Sequence, residues 1–175
     1  TGTASLTPGE LIIASDTDAV DTSLAQTEAK VGQWRGDGKT IGFTNGCFDL
    51  LHPGHMHVLS QAAAPCDHLI VGLNSDASVK RLKGNNRPIQ SEQDRARSLA
   101  ALPSVASVVL FAEDTPQTLI ETLSPDVLVK GGDYVAEDVV GYEHVTSRGG
   151  QVVIIDTLPG HSTTGFLETG SLKLY

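Results

Sequence analysis

Cysteine is scarce in this chain: Cys47 and Cys66 are the only two among 175 residues. Two thiols cannot build a disulfide framework, and they suit a reducing cytoplasm, where the protein is expected to work. Long apolar runs are missing too. None approaches the roughly 20 residues of a membrane-spanning helix, and no signal-peptide pattern is visible, so no membrane partner is expected. Positive charge is short: 12 Lys and Arg stand against 21 Asp and Glu, a net charge of −9. That balance argues against broad binding to nucleic acid or anionic membranes. Finally, no G-x-G-x-x-G follows the first strand-like run, which leaves a dinucleotide-binding reading weak.

What is present is the material of an α/β protein. A chain that is 39% hydrophobic and 19% charged is ordinary for a globular domain, and its length suffices for one sizeable core. Short runs rich in Val and Ile, at 41–44, 69–73, 105–111, 127–129 and 152–155, read as buried strands. Helical candidates lie between them at 54–64, 91–102, 115–123 and 138–148, and 24–34 reads as a further helix packing on the edge of the domain. Ser91 to Asp94 has the form of a capped helix start, and Pro53 suits a first helical turn. Alternating strands and helices predict a Rossmann-like, doubly wound parallel five-stranded sheet with helices on both faces. The expected organisation is an N-terminal segment over 1–38, one domain over 39–167 and a C-terminal tail over 168–175.

In such a sheet, ligands bind beyond the C-terminal strand ends. Each predicted strand here runs into a polar signature: Asn45-Gly46, Asn74-Ser75-Asp76, Glu113-Asp114-Thr115, Lys130-Gly131-Gly132-Asp133 and His161-Ser162-Thr163-Thr164. The five are expected to share one rim. The first is the richest, continuing through Cys47, Phe48, Asp49, His52, Pro53, Gly54 and His55. Gly46 and Gly54 let backbone approach phosphate oxygens. The amides at a helix start favour negative charge, and His52 and His55, three apart, can face one ligand. A metal site on Asp49, His52 and His55 is the rival, but too few ligands of defined spacing are present for zinc. Asp49 either caps the turn or belongs to the site. Cys47 reads as packing, His57, two residues beyond His55, is expected to point elsewhere, and His68 and His144 read as ordinary surface or core residues.

Six of the 12 Lys and Arg residues fall between 80 and 97: Lys80, Arg81, Lys83, Arg87, Arg95 and Arg97. An acidic protein that gathers its bases in one stretch has a local anion site, against the plain alternative of a solvated loop and helix face.

These stretches carry a resemblance. Residues 46–55 look like the G-x-F-D-x-x-H-x-G-H signature of the cytidylyltransferase-like nucleotidyltransferases, and Ser162-Thr163-Thr164 is similar to their late serine-threonine motif. More narrowly, 79–84, 87–89, 113–116, 128–134 and 161–164 resemble the adenylyltransferase domain of the bifunctional heptose 7-phosphate kinase / heptose 1-phosphate adenylyltransferases. Residues 1–11 look like the end of a sugar-kinase domain, which implies fusion to such a domain in a longer protein. The chain departs from the wider superfamily in lacking an arginine at 158–161, and Gly165 and Gly170 interrupt the usual closing helix.

The resemblance implies adenylyl transfer from ATP to D-glycero-β-D-manno-heptose 1-phosphate, giving ADP-heptose and pyrophosphate for lipopolysaccharide core precursors. His52, His55 and Lys83 would be the catalytic residues. Thr44, Asn45, Gly46, Phe48, Gly54, Ser162, Thr163 and Thr164 would hold nucleotide and phosphate. Arg81, Arg87, Arg95, Lys130, Gly132 and Asp133 would reach substrate; for Arg95 a surface salt bridge competes. Mg²⁺ would arrive with ATP, held mainly by phosphates and water rather than by a protein metal site. A homodimer is implied. Two rival readings stay open: a cytidylyltransferase acting on glycerol phosphate or a similar alcohol phosphate, and a non-catalytic nucleotide-binding module of a fused kinase.

Overall fold

Along the strand His68–Asn74 (β2), Leu69, Val71 and Leu73 face one side of the sheet and Ile70 the other, and all are buried. That period of two is what makes a strand covered on both faces read as an unbroken apolar run. The computed structural model describes residues 20–156. Within them the elements run α1 (Leu24–Gly36), β1 (Ile41–Gly46), α2 (Pro53–Ala63), β2, α3 (Asp76–Lys83), α4 (Glu92–Ala100), β3 (Ser107–Phe111), α5 (Gln117–Leu123), β4 (Val127–Gly131), a 3₁₀ turn (Ala136–Asp138), α6 (Tyr142–Ser147) and β5 (Gln151–Ile155). No helix of the described residues is long and apolar enough to cross a membrane.

The five strands are all parallel, in the order β3-β2-β1-β4-β5. The chain winds outward from β1 to β3, returns through α5 to β4 beside β1, and winds out again to β5. The expected doubly wound sheet is therefore present, with its switch point between β1 and β4. Helices α1, α5 and α6 cover one face, where Val31, Leu119, Ile120, Leu123 and Val145 meet Ile41, Phe43, Ile70, Val109 and Leu128. Helices α2 and α4 cover the other, where Leu59, Ala62, Ala96 and Leu99 meet Leu69, Val71, Leu73, Val108, Val127 and Val129. At Gly42 a Cβ would lie 2.5 Å from the Cys66 Sγ, so glycine there lets the turn that follows α2 sit against β1.

Three element expectations change. Residues 76–83 form a helix that is not among the expected helices. Its only apolar residues are Ala77, Val79 and Leu82, of which Val79 is buried and Leu82 half-exposed; Val79 and Leu82 stand at helical spacing, but so short an apolar set among polar and basic residues is too little to mark a helix. The helix expected over 138–148 shrinks to Tyr142–Ser147, preceded by the 3₁₀ turn. And α1 packs by Val31 into the core of one sheet face rather than only lining an edge. The capped start at Ser91 is as expected: its Oγ accepts from the Asp94 amide at 3.2 Å.

Candidate active site

The parallel sheet brings the C-terminal ends of β1 to β4 to one rim, and the histidine turn fills the space beyond β1. Pro53 opens α2 in its first turn and His52 is the N-cap, its Nδ1 accepting from the His55 amide at 3.4 Å. An accepting Nδ1 leaves the neutral ring's proton on Nε2. The two imidazoles stack with centroids 3.7 Å apart, and the Phe48 ring lies 5.1 Å from that of His55. Phe48 has φ +43, an uncommon conformation for a bulky residue. Its ring packs against Gly46, where a Cβ would lie 3.0 Å away.

Burial is the main reason that His55 titrates at about 4 rather than 6.5; the adjacent His52 lowers it further, and Lys83 adds a smaller push the same way against the Leu50 backbone. Among the described residues the buried His55 Nδ1 has no hydrogen-bond partner, which a neutral ring tolerates better than a cation would. At neutral pH this turn therefore presents an uncharged ring beside the amides of a helix start. Thr44 and Gly54 are buried around it.

Asp49 does not cap α2, because His52 holds that position. Its carboxylate reaches across to the segment before α4, accepting from Arg87 Nε, the Ile89 amide at 2.7 Å and the Gln90 amide at 3.2 Å. Arg95 is neither a surface residue nor open to phosphate. It is fully buried, and it donates to Gln90 O at 3.2 Å, Cys47 O at 2.6 Å, Asn74 O at 2.9 Å and Asp76 Oδ1 at 2.8 Å. One guanidinium thus joins the ends of β1 and β2 to the start of α3. The Asp76 amide in turn donates to Glu92 at 2.7 Å. Asn74 Nδ2 donates to Ser78 Oγ, which donates to Glu113 O, linking the rim onward to β3.

Other expected residues are distributed more loosely. Arg81 is half-exposed and tied to Asp114, at 2.9 Å, and to Ala112 O. Lys83 is exposed at the end of α3 and has no hydrogen bond or ion pair among the described residues, yet its charge is felt at both His55 and Cys47. Burial pushes the Cys47 thiol up, against the pull of Lys83, Arg95 and Arg87, so the thiol stays protonated. Across the switch point, Lys130 Nζ lies 3.5 Å from Asn45 Oδ1 and 5.5 Å from the Tyr134 ring centre. Burial lowers its pKa. Gly132 has φ +124, a conformation open to glycine, and turns the chain so that Asp133 is exposed. Ser162, Thr163 and Thr164 lie outside the described residues. Among the described residues no group of three or more His, Cys, Asp or Glu is placed to hold a metal ion.

The residues that the sequence reading missed are Asn74, Ser78, Gln90 and Glu92 as rim connectors. The run Asn74-Ser75-Asp76 was visible as a polar strand end, but nothing in it signals a buried arginine partner. His68 and His144 have ordinary places: His68 stacks on Trp34 with ring centres 4.2 Å apart, and His144 pairs with Ser124.

Residues 43–164 match the cytidylyltransferase-like family. Among curated relatives, the chain is 54% identical over 175 residues to a protein of Rhodopseudomonas palustris (strain HaA2) named Bifunctional protein HldE, a match covering 95% of this chain and 36% of that protein. A second, of the same name, from Nitrobacter hamburgensis is 56% identical over 174 residues, with the same coverage. The chain thus spans about a third of the length of these relatives. Among solved structures, a lipopolysaccharide core biosynthesis protein from Thermoplasma volcanium is similar at 27% identity with a TM-score of 0.56, covering 69% of this chain and 98% of that one. A pantoate-beta-alanine ligase from Francisella tularensis shares the fold at 15% identity and a TM-score of 0.57, covering 83% of this chain and 69% of that one.

Proposed function

The chain belongs to the cytidylyltransferase-like family, and from that premise we propose that it transfers AMP from ATP to D-glycero-β-D-manno-heptose 1-phosphate, releasing pyrophosphate and forming ADP-heptose. The observation that carries this reading is the stacked pair His52 and His55 at the start of α2, beside the switch point of the sheet and within reach of the Lys83 charge. The relatives named Bifunctional protein HldE, and the similarity to a lipopolysaccharide core biosynthesis protein, support the narrower substrate choice.

In the proposed reaction a sugar-phosphate oxygen attacks the α-phosphorus of ATP in line. The new O–P bond forms as the bond from the α-phosphorus to the bridging oxygen breaks, and pyrophosphate leaves with that electron pair. The attacking oxygen is already anionic, so no general base is required. Positioning and charge stabilisation do the catalysis. The α2 amides, His52 and His55 hold the triphosphate by hydrogen bonds, and Lys83 neutralises charge that grows on the leaving phosphates. Thr44, Asn45, Gly46, Phe48 and Gly54 frame the nucleotide. Lys130, Gly132 and Asp133 form the opposite wall, and Ser162, Thr163 and Thr164 close the phosphate end. ATP enters as its Mg²⁺ complex. Asp49, the carboxylate nearest the histidines in sequence, already has three donors on it, so no resident metal site is proposed there.

In the same reading the protein works in the cytoplasm as a homodimer, fused to a sugar-kinase domain. The deciding experiment is pyrophosphate release with ATP, CTP and GTP against both anomers of heptose 1-phosphate. Release with ATP and the β-anomer is expected. Preference for CTP with glycerol phosphate, or nucleotide binding without release, would overturn the reading.

A further inference from the structure

We propose that Tyr134 is the platform on which the purine base of the nucleotide stacks, a ring set in place by the Gly132 turn and backed by the Lys130 ammonium. This rests on the adenylyl-transfer reading above, which seats the triphosphate at the histidine turn.

Of the Phe, Tyr and Trp side chains among the described residues, only that of Tyr134 is exposed, with half of its surface open. A ring left in water at a ligand rim gains free energy when a flat apolar partner covers it. The ring is not loose. The Gly132 amide donates to Ile155 O at the end of β5, at 3.0 Å, and the Tyr134 amide donates to Gly132 O, also at 3.0 Å. Gly132 has φ +124, and a Cβ there would lie 3.0 Å from the Tyr134 ring. The missing side chain lets the ring edge lie on the turn. Further along, Val139 is buried in the core and holds the loop from its other end. A platform fixed in advance loses little freedom when a base lands on it.

Lys130 decides which kind of partner fits. Its Nζ lies over the Tyr134 ring, 5.5 Å from the centre, and 3.5 Å from Asn45 Oδ1. With the ammonium on one face and Gly132 along one edge, the opposite face is the open one. A cation on one face of a ring draws π density toward itself and leaves the other face less negative. Such a face is a poor match for the C–H groups of a sugar and a good one for the electron-rich plane of a purine. The position agrees with this. Gly131 packs on Val58, where a Cβ would meet Cγ2 at 2.8 Å, and Val58 stands three residues beyond His55 on α2. Asn45 directly precedes Gly46 of the histidine turn. The loop after β4 thus starts beside α2 and lies across the switch point from the phosphate site, where a nucleotide laid over the crevice carries its base.

The test is calorimetric binding of ATP to the full chain, with tripolyphosphate as a probe that has the phosphates and no base. Tyr134→Leu and Tyr134→Phe are both expected to fold like the parent, because the side chain is half-exposed. Tyr134→Leu should weaken ATP binding by roughly tenfold or more, the scale of one lost base–aromatic stack, and leave tripolyphosphate binding within about twofold. Tyr134→Phe keeps the ring and should recover most of the lost affinity. In steady-state kinetics Tyr134→Leu should raise KM for ATP, with KM for the sugar phosphate within about twofold. Equal weakening of ATP and tripolyphosphate, a loss in Tyr134→Phe as large as in Tyr134→Leu, or a rise in KM for the sugar phosphate instead of ATP would overturn the proposal. Tyr134-dependent ATP binding in a chain that releases no pyrophosphate would leave the platform standing and remove the adenylyl-transfer reading. Pyrophosphate release with an unchanged ATP affinity in Tyr134→Leu would do the reverse.

Discussion

Arg95 and Lys83 belong to one basic stretch of sequence, and the fold puts them to opposite uses. Arg95 is turned inward, without solvent exposure, and four protein acceptors occupy its guanidinium. Lys83 stands at the exposed end of α3 with no protein partner among the described residues, and its charge reaches the histidine turn. One cation builds the rim, and the other meets no protein acceptor among the described residues. Charge density along the chain marks both equally. What separates them is the supply of acceptors: parallel strand ends leave carbonyls such as Cys47 O and Asn74 O with no ladder partner, and a buried donor that meets them becomes structural.

The contrast breaks most visibly at Arg95. Arg95→Met keeps much of the side chain's bulk but strands the carbonyls of Gln90, Cys47 and Asn74 and the Asp76 carboxylate. It is expected to lower unfolding free energy by about 3 kcal/mol or more, because each buried carbonyl left without a donor costs about 1–3 kcal/mol, measured by urea unfolding. Stability within about 0.5 kcal/mol of the parent would show that Arg95 is not the tie between β1 and β2. Lys83→Ala should behave in the opposite way. Its stability should be unchanged within about 0.5 kcal/mol, while pyrophosphate release falls by roughly tenfold to a hundredfold, the scale of one lost charge contact in a transition state. A Lys83→Ala protein that turns over normally would make the exposed cation a solvated one.

The same contrast shows what could be read without the fold. The strands were legible because residues such as Leu69 to Leu73 are covered on both faces and so form continuous apolar runs. The histidine turn was legible because its parts are neighbours in sequence. Helix α3 was not, because it buries only Ser78 and Val79, too small an apolar face to stand out in sequence. Nor was the role of Asp49, whose three donors lie 38 to 41 residues away. A capping reading considers only the next few residues, and here His52 takes the cap instead. Long-range partners of a short polar side chain are set by how α4 docks on the sheet, and no local pattern encodes that.

The histidine turn gives the next largest expected effect. His55 has a folded pKa of about 4 against 6.5 when unfolded. As pH falls through 6.5 the unfolded imidazole takes up its proton first, so the unfolded state is favoured progressively until about pH 4, where the folded ring is protonated too. The loss for this one group is on the order of 1–3 kcal/mol, discounted for its partial exposure. His55→Gln should flatten the decline in unfolding free energy between pH 6.5 and 4. An unaltered slope in that variant would mean that the ring is not held neutral by its surroundings.

Arg81 is the smallest test and the one that sharpens the comparison, because it stands between the two extremes. It is half-exposed like a ligand-facing residue, yet bonded to Asp114 and to Ala112 O like a structural one. Exposed ion pairs contribute at most about 1 kcal/mol, so Arg81→Ala should cost no more than that in urea unfolding. If bonding to protein decides the role, as it does for Arg95, KM for ATP should stay within about twofold, because the guanidinium edge is already taken by the β3–α5 connection. A large rise in KM for ATP, with stability unchanged, would mean that Arg81 leaves Asp114 when the nucleotide binds. Availability in the free protein would then be a poor guide to which cations of this rim meet phosphate.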